Sequence, residues 1–223
     1  CMSFDCPVYC TCIGYSVVCN PGYLITFSQH MAPVRSITLA NCSFYLPDLK
    51  YSVSSLSFIL SLNLQNVSLN SLPDYVFVNN QFLLILNVRH NSLSHLSVHT
   101  FFNLSRLNYL DLGQNYIKAL NDYSFCYLIS LGYLYIDNLH LTEIESNAFY
   151  NLVKLQYLNI ENNYFTKFSG IVFQNLVSIT TVEYEHCCVY KRYIKIKCAV
   201  KIKRSLYSCK PIAYKEQSLH FLL

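Results

Sequence analysis

Apolar residues recur along this chain at a fixed interval. Between Leu107 and Ser130 the apolar set is Leu107, Leu110, Leu112, Ile117, Leu120, Phe125 and Leu128, with Asn115 at the ninth place. Steps of 24 residues find the same spacing in units that begin at Ile59, Leu83, Leu131, Leu155 and Ile179, and a step of 25 back from Ile59 reaches Val34. Within each unit the first, fourth and sixth positions follow L-x-x-L-x-L. Side chains alternate faces along a strand, so this segment predicts a short strand with its leucines turned inward. A unit of this length buries its apolar side only against its neighbours, which predicts one elongated solenoid rather than a globule. The expected architecture is a parallel concave sheet of about seven short strands with an irregular convex side. Phe77, Phe101, Phe125, Phe149 and Phe173 recur every 24 residues and predict a stacked core spine.

The ninth position should turn inward after the strand and supply partners to backbone groups at the bend. Asn91, Asn115 and Asn163 suit that task, and Cys42 and Cys187 substitute for them. Val67 and Leu139 do not, which predicts local irregularity at those two turns.

The third, fifth and seventh positions of each unit face outward and form columns down the solenoid. The third column reads Ser36, Ser61, Ile85, Tyr109, Tyr133, Tyr157 and Thr181. The fifth reads Thr38, Asn63, Asn87, Asp111, Tyr135, Asn159 and Glu183, and the seventh Ala40, Gln65, Arg89, Gly113, Asp137, Glu161 and Glu185. Arg89 is the one basic residue in these columns. Five of the twelve acids of the sequence lie here, although the chain as a whole carries a formal charge of +4. An acidic, tyrosine-rich face suits a basic partner, because carboxylates pair with Arg or Lys while Tyr offers contact area at low entropic cost. The candidate ligand residues are therefore Tyr109, Asp111, Tyr133, Tyr135, Asp137, Tyr157, Asn159, Glu161, Glu183 and Glu185.

Composition changes the picture in three ways. The chain is 53% hydrophobic with mean hydropathy +0.27, yet it holds no uncharged apolar run of about 20 residues, so no transmembrane helix is expected within it. Of eleven cysteines, Cys1, Cys6, Cys10, Cys12 and Cys19 open the chain and Cys187, Cys188, Cys198 and Cys209 close it. Such clusters seal the ends of an extracellular solenoid with disulfides; a zinc reading lacks the paired C-x-x-C knuckle. Asn41, Asn66 and Asn103 head N-x-[ST] sequons and point to the same compartment. The domain reading is a cysteine-rich cap over 1–33, repeats over 34–186 and a second cysteine-rich cap or hinge over 187–223. That last segment holds nine of the sixteen basic residues, and Ala199-Val200-Lys201-Ile202-Lys203 alternates as a half-exposed strand does. A chain that starts at a cysteine, with neither initiator Met nor signal peptide, is expected to be a mature fragment or part of something longer.

No P-loop, Gly-x-Ser-x-Gly elbow or His-Glu-x-x-His occurs, and five glycines leave little scope for a phosphate-cradling loop. His90, His95 and His99 fall at the eighth, thirteenth and seventeenth positions, which point in different directions. The expectation is a non-enzymatic protein with no metal and no cofactor.

The spacing resembles that of leucine-rich repeats, and the two ends are more specific. Cys6-Pro7-Val8-Tyr9-Cys10-Thr11-Cys12 with Cys19 resembles the flank that precedes extracellular leucine-rich repeats; the resemblance implies Cys6–Cys12 and Cys10–Cys19 pairs. Cys1 is then left to bond upstream, to replace Cys6, or to stay free. Cys1, Cys10, Cys12, Gly14 and Cys19, together with Ser208-Cys209-Lys210-Pro211 and Ser218-Leu219-His220-Phe221-Leu222-Leu223, resemble the cap and hinge of relaxin-family peptide receptors. The adjacent Cys187-Cys188 is similar to the hinge of the broader leucine-rich-repeat G-protein-coupled receptors. The resemblance implies an α/β-type leucine-rich-repeat horseshoe outside the plasma membrane, binding a basic peptide or protein hormone. It implies contact with its own transmembrane domain, with G protein reached only through that domain; for an exported chain the basic tail is not expected to bind nucleic acid. A secreted matrix or adhesion protein is the alternative expectation.

Overall fold

The computed structural model describes residues 6–21, 34–42, 53, 56–165, 170–184 and 201–203. Each of the seven unit starts lies two residues before a strand, as the inward leucines require. After a hairpin of β1 (Cys10–Ile13) and β2 (Ser16–Cys19) come β3 (Ser36–Thr38), β4 (Ser61–Asn63), β5 (Ile85–Asn87) and β6 (Tyr109–Asp111). They are followed by β7 (Ala119–Leu120), β8 (Tyr133–Tyr135), β9 (Glu143–Ile144), β10 (Tyr157–Asn159), β11 (Thr181–Glu183) and β12 (Lys201–Lys203). Ten of these form one sheet in the order β1-β2-β3-β4-β5-β6-β8-β10-β11-β12, parallel from β2 onward, while β7 and β9 pair separately on the flank. Among the described residues the rest of each coil returns through turns, with a 3-10 helix at Gly170–Phe173. The result is a parallel-sheet solenoid with little helix among the described residues.

The core is a column of coil interiors. In the central unit Leu107, Leu110, Leu112, Ile117, Leu120, Phe125 and Leu128 are all fully buried, each side chain contributing about 1.5–3 kcal/mol. Phe101, Phe125, Phe149 and Phe173 stack with ring centroids 6.0, 6.1 and 6.2 Å apart, so four of the five expected phenylalanines form the spine, and Phe77 is fully buried.

Asparagine at the ninth position does what the bend demands. Asn115 Nδ2 donates to the carbonyls of Val88, Leu112 and Gly113, and its Oδ1 accepts from the N–H of Leu93. Cys42 fills the same place with its thiol directed at the carbonyls of Cys19, Asn20 and Ala40. The turns at Val67 and Leu139 differ, as the missing carboxamide predicts. Regular turns carry one left-handed residue before the asparagine, at His90, Gln114 and Asn162; these two carry a second, at Ser68 and His140. The asparagine of the next coil compensates: Asn91 Oδ1 accepts from both Val67 and Leu69, and Asn163 Oδ1 from both Leu139 and Leu141.

The amino-terminal hairpin turns at Gly14, whose φ of +58° suits a residue without Cβ. It is bridged by Cys6–Cys12 and Cys10–Cys19, the implied pairing, and β2 lies parallel to β3, covering the first coil. The alternating tail segment places β12 beside β11, with Lys201 opposite Thr181 and Lys203 opposite Glu183. Cys1, Glu185, Cys187, Cys188, Cys198 and Cys209 lie outside the described residues.

Replacing Asn115 by Ala strands several buried backbone groups and should lower the unfolding free energy by about 3 kcal/mol in urea titrations. Gln156→Ala, at an exposed site, should stay within about 0.5 kcal/mol. Peptide mapping of the unreduced protein should recover Cys6 with Cys12 and Cys10 with Cys19, and reduction should cost about 2–4 kcal/mol per bridge.

Candidate ligand face

Strand register fixes which outward side chains are neighbours. Ser61, Ile85, Tyr109, Tyr133, Tyr157 and Thr181 pair in succession, as do Asn63, Asn87, Asp111, Tyr135, Asn159 and Glu183. The columns expected from the repeat are therefore real lines of adjacent residues. Tyr109, Tyr133, Tyr135 and Tyr157 form an aromatic cluster. Ring centroids lie 5.2 Å apart for Tyr109–Tyr135, 5.0 Å for Tyr135–Tyr157 and 6.2 Å for Tyr133–Tyr157. Tyr133 is 40% exposed, and the other three are half-buried between their neighbours.

The carboxylates divide into two groups, and here the sequence expectation needs correction. Asp111 and Asp137 are buried, at 5% and 4% exposure, and both pair with Arg89. Arg89 grips Asp137 with two bonds of 3.0 and 2.6 Å and reaches Asp111 at 3.2 Å. Arg89 and Asp137 are two coils apart, and they meet because Gly113 stands between them in the seventh column. A Cβ on Gly113 would lie 2.2 Å from Arg89 Nη1. Asp111 also accepts from the N–H of Gly113, repeating what Asn63, Asn87 and Asn159 do two residues on, at Gln65, Arg89 and Glu161. Asn159 is likewise buried. Asp111, Asp137 and Asn159 thus close strand ends and an internal ion cluster instead of lying open to a ligand. The signal was present in the sequence: an Asn or Asp recurs at the strand end, and a glycine separates opposite charges in one column.

Protonation follows from these contacts. Burial pushes the Asp111 carboxyl up, against the Gly113 N–H and the Arg89 charge. Burial pushes Asp137 the same way, but hydrogen bonds from Arg89 and Asn138 outweigh it and hold its carboxyl below the usual range. The Arg89 guanidinium is held still more firmly protonated, chiefly by its bond to Asp137. Burial, then the Asp111 charge, pushes Tyr109 up to about 12 and also raises Tyr135. Tyr157 rises through burial and because its hydroxyl donates to the Glu183 carboxylate.

Glu161 and Glu183 are half-buried on the sheet face beside the tyrosines. Glu143 and Glu145 are exposed on the flank. Asn41 and Asn66 are exposed in adjacent coils, the Asn66 amide donating to Asn41 Oδ1 at 2.7 Å, whereas Asn103 donates to the Val78 carbonyl within the coil wall. His90 and His95 are exposed, and His99 stacks on Tyr75 at 4.9 Å. Cys42 and Cys126 are free, and burial raises both thiols. Among the described residues no group of His, Cys, Asp and Glu is placed to hold a metal ion. Among them, too, no helix is long and apolar enough to cross a membrane.

The sequence family described as Leucine rich repeat matches residues 59–117, 83–138 and 129–187, together more than half of the chain. No curated protein matches the sequence. Among solved structures with the same fold is TLR13 in its complex with ssRNA13, at 24% identity and a TM-score of 0.55. The likeness covers 73% of this chain and 26% of that one, so this chain spans about a quarter of TLR13 and shares its fold.

Arg89→Met would leave two buried carboxylates without their counterion, lowering the unfolding free energy near neutral pH by about 3 kcal/mol. Arg89 holds Asp137 below its unfolded value, so the stabilisation is present above about pH 4 and vanishes as pH falls through the depressed folded value. Asp111, raised by burial, acts in the opposite sense and softens the acid loss. Denaturation curves of the two proteins should therefore converge in acid; a gap constant across the whole range would exclude the ion cluster as its source. At the alkaline end, ultraviolet titration should show Tyr109 ionising near 12, with stability falling between the unfolded value of about 10 and that midpoint.

Proposed function

Because this chain belongs to the leucine-rich-repeat family, a fold suited to holding protein partners or other ligands, we propose that its concave sheet captures a basic peptide or protein hormone. The observation that carries the reading is the tyrosine cluster with Glu183, which accepts from the Tyr157 hydroxyl, and with Glu161 two residues past the end of β10. Rigid rings supply contact area, and carboxylates at their margin pair with Arg or Lys of the ligand. The ion cluster narrows the contact set to Tyr133, Tyr135, Tyr157, Glu161 and Glu183, with Glu185 next in the seventh column. Asp111 and Asp137 stiffen the sheet beneath.

The receptor reading goes further: an extracellular, non-enzymatic ectodomain of a leucine-rich-repeat G-protein-coupled receptor, whose basic hinge passes ligand binding to a membrane domain. Support comes from the disulfide-closed hairpin, which fits an oxidising compartment, and from the resemblance of the two cysteine-rich ends to relaxin-family receptors. Glu161 and Glu183 beside the rings disfavour nucleic-acid phosphates and favour a cationic protein as the partner. About 20 consecutive apolar residues encoded after Leu223 would support the receptor reading, and a stop codon there would remove it.

Surface plasmon resonance with relaxin-type basic peptides tests the ligand. Tyr135→Ala and Tyr157→Ala should each weaken binding about tenfold or more, mainly by faster dissociation. Glu161→Gln with Glu183→Gln keeps shape but removes charge, so it should slow association and flatten its salt dependence, because charges are screened beyond about 8 Å at physiological ionic strength. Glu143→Gln, on the flank, should change neither. Equal loss in the flank variant would move the site off the concave face.

A further inference from the structure

A second surface lies along the edge of the sheet where the chain enters its early strands, before the tyrosine cluster. Four side chains stack there in line. The Arg35 guanidinium sits over Phe58 at 5.3 Å, Phe58 stacks on Phe82 at 6.0 Å and 17°, and Arg106 caps Phe82 at 5.5 Å. Arg35 is also fixed by donating to the Phe58 carbonyl at 2.9 Å. Beside the stack, Leu60 and Leu84 lie in neighbouring coils joined by a backbone bond, with Ile85 next to them. Phe58, Leu60, Leu84 and Ile85 are 50%, 37%, 40% and 44% exposed.

Scattered exposed apolar residues need no explanation, but a contiguous patch does. The coil does not require one here: the places of Leu60 and Leu84 are taken in the next coils by Asn108, Gly132, Gln156 and Thr180. Nor do the described residues neutralise the arginines. Among the described residues neither Arg35 nor Arg106 pairs with a carboxylate, whereas Arg89 on the sheet face has two. A guanidinium lying on a ring keeps its N–H edge available for bidentate bonding to a carboxylate.

We propose that this edge docks a protein segment that carries apolar side chains between two carboxylates. The apolar side chains rest on Leu60, Leu84 and Ile85, and the carboxylates meet Arg35 and Arg106 at either end. The stack is spanned by about five residues of extended chain at ~3.3 Å each, which sets the separation of the acids. Two arginines are too few for a polybasic lipid-binding patch, which gathers about four to eight. The faces of both rings are already taken by each other and by the guanidiniums, leaving no platform on which a nucleobase could stack. A protein segment is the occupant that uses both the apolar floor and the paired cations. This surface is independent of the basic ligand assigned to the concave face.

Peptides displayed on phage and selected against the intact chain, with counter-selection on the Arg35→Glu/Arg106→Glu variant, test the proposal. Both positions are exposed, so the variant should melt with the parent. The expected result is enrichment of sequences with Asp or Glu flanking Leu, Ile or Phe at that separation. They should bind the double variant at least tenfold more weakly, and peptides with Lys in place of the acids should recover binding to it. Tyr157→Ala should leave these peptides unaffected, which separates this surface from the concave one. Enrichment without an acidic pattern, or equal binding to the double variant, overturns the proposal. So does a self-associated dimer that Leu84→Glu dissolves, or anionic vesicle binding as the sole activity lost with the arginines.

Discussion

Everything in this fold depends on one requirement: a chain that bends back at every coil brings backbone N–H and C=O groups into an apolar interior, where each must find a partner. The inward carboxamide at the ninth position meets it, bonding carbonyls of its own bend and of the previous coil and taking N–H groups from that coil. Because the partner lies one coil away, the bond also locks adjacent coils in register. The strands then stack at corresponding residues, the phenylalanines form a spine, and the outward side chains fall into columns. Where the carboxamide is missing, at Val67 and Leu139, the backbone adopts a second left-handed residue and the following asparagine bonds two N–H groups.

The same stacking decides how charge is used. Columns bring Arg89 and Asp137 together across two coils, since Gly113 leaves the space between them open. Two buried carboxylates facing one arginine make a cluster in which Asp137 is held ionised while burial works against Asp111. Acids that read as a binding surface in a linear list thus become part of the scaffold. What remains on the later sheet is a set of rings bordered by Glu161 and Glu183. The early edge has the opposite character, apolar with two arginines that lack carboxylate partners among the described residues. The two surfaces differ in charge as the two proposed partners would.

The period, the strand positions, the inward residues and the outward columns were legible in the residues alone, because a coil that buries its leucines only against its neighbours leaves no alternative to stacking at the repeat length. The residues also marked the turns at Val67 and Leu139 as irregular, since the missing side-chain type is visible without coordinates. Pairing of Cys6 with Cys12 and of Cys10 with Cys19 was implied by resemblance, the four cysteines alone allowing other arrangements. Tertiary structure decided what each outward polar group faces. Exposure on a strand follows from alternation, but the depth of a carboxylate depends on the size of its neighbours in adjacent coils and on whether an arginine reaches it. Asp111, Asp137 and Asn159 therefore read as surface residues in the columns and are buried in the fold. The Arg35–Phe58–Phe82–Arg106 stack escaped the columns altogether, because it gathers residues from the ends of different coils that only the register of the solenoid brings into line.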